Sequence, residues 1–132
     1  MTEEFILSTS KQTAFIDITS HVEKIVRSSS VDNGTCIVFV PHTTAAVTIN
    51  ENADPSVRRD MIHALDKIVP DTFSYTHAEG NSPAHIKASL IGNSESVFIK
   101  GGSLLLGTWQ GIYFCEFDGP RRRRVVVKIA ED

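Results

Sequence analysis

Apolar residues recur along this chain at two spacings, and the switch between them predicts the elements. Residues 4–8 and 13–18 predict two short strands. In the second, Ala14, Ile16 and Ile18 alternate with Thr13, Phe15 and Asp17, so one face is mostly apolar. Over 20–31 the period lengthens to that of a helix, with Val22, Ile25 and Val26 in a stripe and Ser20 and Glu23 at capping-box spacing. Asp32-Asn33-Gly34 predicts a turn. Residues 35–40 form a β-branched apolar run that Pro41 interrupts, which predicts a central strand, and a second strand follows from Ala45 to Asn50. Asp54 and Pro55 are an N-cap and first helical residue, and Val57, Met61, Leu65 and Ile68 repeat at helical spacing until Pro70. The polar stretch 71–82 is long for a passive connection. Ser82-Pro83 opens a short helix through Leu90, ended by Gly92.

Strands are predicted near 95–100, 103–106, 108–117 and 123–130, with turns at Gly101-Gly102 and Gly119-Pro120. Strand 108–117 is apolar on both parities, Trp109, Tyr113 and Phe117 on one and Ile112 and Phe114 on the other, so both its faces should be covered. The order β-β-α-β-β-α-α-β-β-β-β predicts an α+β fold. Its sheets are mainly antiparallel and sandwich-like, with two longer helices and one short helix in a single domain spanning 1–132.

Composition narrows the picture. A chain of 132 residues and 14.5 kDa holds one ordinary domain. Hydrophobic residues at 41% and charged residues at 22% argue against a disordered or fibrous chain. Thirteen Lys+Arg against 16 Asp+Glu give a net charge of -3, which opposes general nucleic-acid or membrane-surface binding. The longest apolar runs are about five residues where a membrane helix needs roughly 20. Met1-Thr2-Glu3-Glu4 does not resemble a signal peptide, so a cytoplasmic location is expected. Cys36 and Cys115 each lie in an apolar run without a CxxC motif, which predicts two buried free thiols.

Several motifs fail. Gly102-x4-Gly107-Thr108 has P-loop glycine spacing without the lysine, and His77-Ala78-Glu79 lacks the PCxxC partner of zinc deaminases. What stands out is histidine and carboxylate at segment ends. His42 follows the break at Pro41, His77 lies in the long connection, and His85 is in the first turn of the short helix. Three imidazoles from three segments can form an open metal site, with Glu79 as a carboxylate behind them; unrelated hydrogen bonds are the alternative. His21 and His63 read as surface residues. Asn50 and Glu51 sit at a strand end where capping does not explain Glu51. Gln110 and Glu116 share a parity on an apolar strand, so they either line a site or meet water or another subunit. Arg121 to Arg124 read as a solvated turn and edge strand, or as a fork for phosphate or carboxylate.

Three blocks carry a family resemblance. One runs from His42-Thr43-Thr44-Ala45-Ala46 through Asn50-Glu51-Asn52-Ala53-Asp54-Pro55. The second joins His77-Ala78-Glu79-Gly80 to Pro83-Ala84-His85-Ile86-Lys87. The third runs from Ser94 through Gly107-Thr108-Trp109-Gln110 to Glu116 and Asp118-Gly119-Pro120-Arg121. Together they resemble the YjbQ-like family, described as a secondary thiamine-phosphate synthase.

The resemblance implies a homotrimer with clefts near subunit interfaces. It implies weak joining of hydroxymethylpyrimidine diphosphate to thiazole phosphate, and metal binding by His42, His77 and His85. On that reading Arg121 and Arg123 hold phosphate, helped by Lys87, with Asn50 and Trp109 against the substrate and Glu51, Glu116 and Gln110 in catalysis. The expected cofactor is a divalent metal ion, zinc for a histidine set, with magnesium for the synthase reaction. The alternatives are a metal-assisted hydrolase of a small phosphorylated or acyl substrate, with Glu51 or Glu116 as general base, and a non-catalytic trimer that binds a small anion.

Overall fold

The computed structural model describes residues 1–132. Its elements are β1 (Thr2–Ser8), β2 (Ala14–Asp17), α1 (Thr19–Ser29), β3 (Gly34–Phe39), β4 (Ala45–Glu51), α2 (Pro55–Ile68), α3 (Ser82–Ile91), β5 (Ser94–Lys100), β6 (Ser103–Leu104), β7 (Gln110–Glu116) and β8 (Arg122–Glu131). The fold is α+β, as the alternating periods predict. One sheet has the order β1-β8-β3-β5-β6 and the other β2-β7-β4, with antiparallel pairing throughout.

The two sheets face each other across the main core. Cys36, Val38, Val97, Val125 and Val127 come from the larger sheet, and Val47, Ile112 and Phe114 from the smaller; Val22, Ile25 and Val26 of α1 fill one side. The opposite parity of β7 feeds a second core. There Tyr113 and Cys115, with Phe15, Ala46 and Phe117, meet Ala84 and Ala88 of α3 and the apolar stripe of α2. Strand β7 is therefore covered on both faces, as its double parity predicts. Both thiols are free and buried. Burial raises the Cys36 thiol to about 11 and pushes the Cys115 thiol higher still, so both are inert at neutral pH.

Two local expectations need correction. Helix α1 begins at Thr19, not after Ser20. Asp17 reaches forward and accepts hydrogen bonds from the Thr19 amide (2.9 Å) and hydroxyl, so this carboxylate replaces the expected capping box. Strand β6 is two residues long, because the chain leaves the sheet after Leu104. Helix α2 starts as predicted, with the Asp54 carboxylate accepting from the Ser56 amide at 2.9 Å. No helix is long and apolar enough to cross a membrane.

Candidate polar cleft at one end of the sandwich

At one end of the sandwich the inward parities of β7 and β8 change from apolar to charged. Glu116 follows Phe114, and Arg123 precedes Val125. Glu116 is 0% exposed and Arg123 4%. A charge this deep persists only if it is paired and its remaining hydrogen-bond capacity is met. Here Arg123 Nε donates to Glu116 Oε1 at 2.9 Å while Nη2 meets Oε2, a bidentate arrangement. Nη2 also reaches the carbonyl and hydroxyl oxygens of Thr44. Thr9 donates to Glu116 at 2.7 Å, and the Asp118 amide donates at 3.0 Å. Burial alone would raise the Glu116 carboxyl. The hydrogen bonds from Arg123, Thr9 and Asp118, with the Arg123 charge, overcome it and hold the group below its ordinary value. Gly119 lets the β7–β8 turn fit here, since a Cβ at that position would lie 2.8 Å from the Thr9 hydroxyl and 2.2 Å from the Lys11 carbonyl.

Above this pair lies a cleft of about 540 Å³ lined by polar side chains, among them His42, Glu79, Asn81, His85, Arg121 and Arg123. Arg121 is anchored like Arg123. Its Nε donates to the Asp118 carbonyl (2.8 Å) and its Nη2 to the Asp118 carboxylate (2.9 Å). Both arginines thus use Nε and Nη2 within the protein and leave Nη1 without a protein partner. His42 Nε2 accepts the Arg124 backbone N–H at 3.0 Å, which places the proton of the neutral ring on Nδ1. Burial, then the nearby Arg123 charge, lowers the His42 pKa and favours that neutral form.

The expected metal set does not assemble. The His77 and His85 rings meet edge to face at 5.4 Å, but His77 opens on a neighbouring cleft with Tyr75 and Ile86, not on the one that holds His42. His42 has already committed Nε2 to Arg124. No group of three or more His, Cys, Asp or Glu side chains is placed to hold a metal ion. In this arrangement the three imidazoles do not converge on one ion.

Most of the other expected residues divide between two ends of the sandwich, as the smaller sheet shows. Ala45 pairs with Glu116, and Glu51 pairs with Gln110. At about 3.4 Å per residue those ends are about 20 Å apart. Arg121 and Arg123 line the cleft, and Glu116 lies buried beneath it. Asn50, Glu51, Trp109 and Gln110 lie at the far end, where Asn50 accepts the Glu51 amide and Gln110 accepts the Gly107 amide at 2.7 Å. Trp109 is 63% exposed and supports no ring in this chain. Lys87 is buried on the other side of α3, donating to Asp66. Thr44 and Asp118 stand in the motif blocks but were given no role there, and Thr9 and Asn81, which complete the site, were not singled out in the sequence. Of the latter two, only the position of Asn81 before a Ser-Pro helix start gave any signal.

This architecture defines a class: a small two-sheet α+β protein with a polar, arginine-floored cleft at one end of its sandwich. The chain belongs to the YjbQ-like UPF0047 family, whose description, "UPF0047 protein YjbQ-like", matches residues 3–132. A UPF0047 protein of Methanocaldococcus jannaschii is 51% identical over 98% of this chain and 94% of its own length. The protein YugU of Bacillus subtilis is 47% identical over 93% and 94%. A solved Clostridium acetobutylicum structure of the family superposes with a TM-score of 0.95 at 58% identity, covering 97% of this chain and 99% of that one. A Sulfolobus solfataricus structure, TM-score 0.96 at 33% identity over 100% and 97%, is described as a YbjQ-like protein of unknown function.

These names correct the activity implied by the resemblance. The relatives carry a family designation and no thiamine-phosphate synthase or metal-binding assignment.

Proposed function

We propose that the cleft binds a small molecule through an anionic group, phosphate or carboxylate, held by Arg121 and Arg123 with the neutral His42 ring as a further donor. The observation that carries this reading is the Arg123 guanidinium. It is 4% exposed, locked on one edge by Glu116 and Thr44, and left with its Nη1 donors free beside the cleft. A preoriented planar donor matches phosphate and carboxylate oxygens and loses little rotamer freedom on binding. Calorimetric titration with ethyl phosphate and with acetate tests it. We expect saturable binding of at least one. Arg121→Gln should weaken it about tenfold, the loss of one charge-assisted hydrogen bond of about 1.4 kcal/mol, with an unchanged melting temperature. No binding of either probe at millimolar concentration would sink the reading.

Self-association into a homotrimer belongs to the same reading. It is supported by apolar side chains on the outer face of the larger sheet: Ile6, Phe39 and Phe98 are 49%, 39% and 69% exposed. A cytoplasmic setting is supported by the two buried free thiols, which persist where the environment is reducing.

A further inference from the structure

We infer that the ligand of this cleft is amphoteric, carrying beside its anionic group a cationic amino group that Glu79 accepts. The inference rests on the anion-binding reading above. Glu79 lines the same cleft as the two arginines. Its Oε2 accepts from Asn81 Nδ2 at 3.1 Å, and its Oε1 has no protein partner. The same Asn81 Nδ2 donates to Asp118 Oδ2 at 2.8 Å, and that oxygen accepts Arg121 Nη2 at 2.9 Å. Three hydrogen bonds in series therefore tie the Glu79 carboxylate to the Arg121 guanidinium. They also keep the two from collapsing onto each other. Asp118 occupies the arginine edge, and the amide of Asn81 occupies one oxygen of Glu79. The amide orientation is fixed, because its NH₂ must face two carboxylates. Asn81 Oδ1, buried and without a donor, adds an unmet acceptor in the same loop.

The charge balance points the same way. Arg121 and Arg123 bring two positive charges, while Asp118, Glu116 and Glu79 bring three negative ones. His42 is held neutral, and Arg124, whose amide meets His42, directs its own side chain to Glu4. These two arginines and the three carboxylates around them thus sum to one negative charge before anything binds. A simple anion would gain the arginines and face an unpaired Glu79. A diphosphate would face it with more charge still. A molecule with an anionic group at the arginines and an ammonium at Glu79 satisfies both poles.

The test compares ethyl phosphate with phosphoethanolamine, which differ by one ammonium, in wild type and in Glu79→Gln. Phosphoethanolamine should bind the wild type about fivefold more tightly, equivalent to about 1 kcal/mol for a partly exposed charge pair. In Glu79→Gln that preference should vanish while ethyl phosphate binds as well as before or better. Glu79 is exposed, and an unchanged melting temperature confirms that the variant folds. Equal binding of both probes to the wild type, or a preference that survives Glu79→Gln, would overturn the amphoteric ligand and leave the anion site standing. Binding of neither probe would overturn both.

Discussion

Glu116 and Arg123 meet where the chain has removed both from water, and what each does depends on the other. Breaking such a pair from one side costs more than the pair is worth, because the remaining charge stays buried. Glu116→Gln should therefore destabilise the fold by about 3–5 kcal/mol, read by urea unfolding at pH 7. A loss below 1 kcal/mol would show that water reaches Arg123. The same residues predict how stability varies with acid. The folded Glu116 carboxyl sits below its ordinary 4.5, so its contribution is fully present above that pH and is lost as pH falls through the folded value. His42 is also lowered from its ordinary 6.5, first by burial. For a histidine, that sign means the unfolded chain binds the proton first, so stability falls as pH drops below 6.5 towards the folded value. Unfolding free energies measured at pH 7, 5.5 and 4 should decline across both intervals. His42→Gln should flatten the upper interval, and Glu116→Gln should flatten the further decline below pH 4.5. A His42→Gln profile parallel to wild type between pH 7 and 5.5 would refute the assignment.

At the scale of elements, strength is uneven. Strand β7 is paired on both edges and buried on both faces, whereas α2 has no buried residue and leaves Ile68 67% exposed. What ties α2 to the sheet includes Arg58, which donates to the Phe15 carbonyl at 3.0 Å and lies over the Tyr113 ring. Amide hydrogen exchange should therefore open α2 well before β7. Arg58→Ala should cost about 1 kcal/mol and widen that gap; equal protection of the two elements would contradict it. The elements themselves were legible in the sequence because burial imposes period two on the strands and a helical period on α1 and α2. The start of α1 was not, because the Asp17 cap acts from outside the helical stripe. The site was legible only in part. His42 and Glu51 lie nine positions apart in one motif, yet an extended strand runs between them and carries them to opposite ends of the sheet. Arg123 and Glu116 come together through a turn whose closure is visible only in three dimensions.

At the scale of the whole molecule, the surface is larger than a chain of this size needs. The accessible area is 7535 Å², against about 6,900 Å² for a compact monomer of this mass. The excess is not spread evenly. In the larger sheet, antiparallel pairing sets Phe39 opposite Val126 and Ile37 opposite Lys128, while Phe98 stands opposite Thr35 on the same outward parity. The inward parity of these strands builds the main core, so their outward apolar residues have no partner within the chain. Exposed apolar residues grouped on one sheet face are a liability unless something covers them. A copy of the same chain requires no further component and meets closed symmetry. On the homotrimer reading proposed above, light scattering coupled to size exclusion should give a mass of three chains at micromolar concentration. Phe98→Ser, on the outer face and remote from the cleft, should shift that mass towards one chain while strand content, read by circular dichroism, is retained. A wild-type mass of one chain across that concentration range would remove self-association and leave the cleft to act within a single copy.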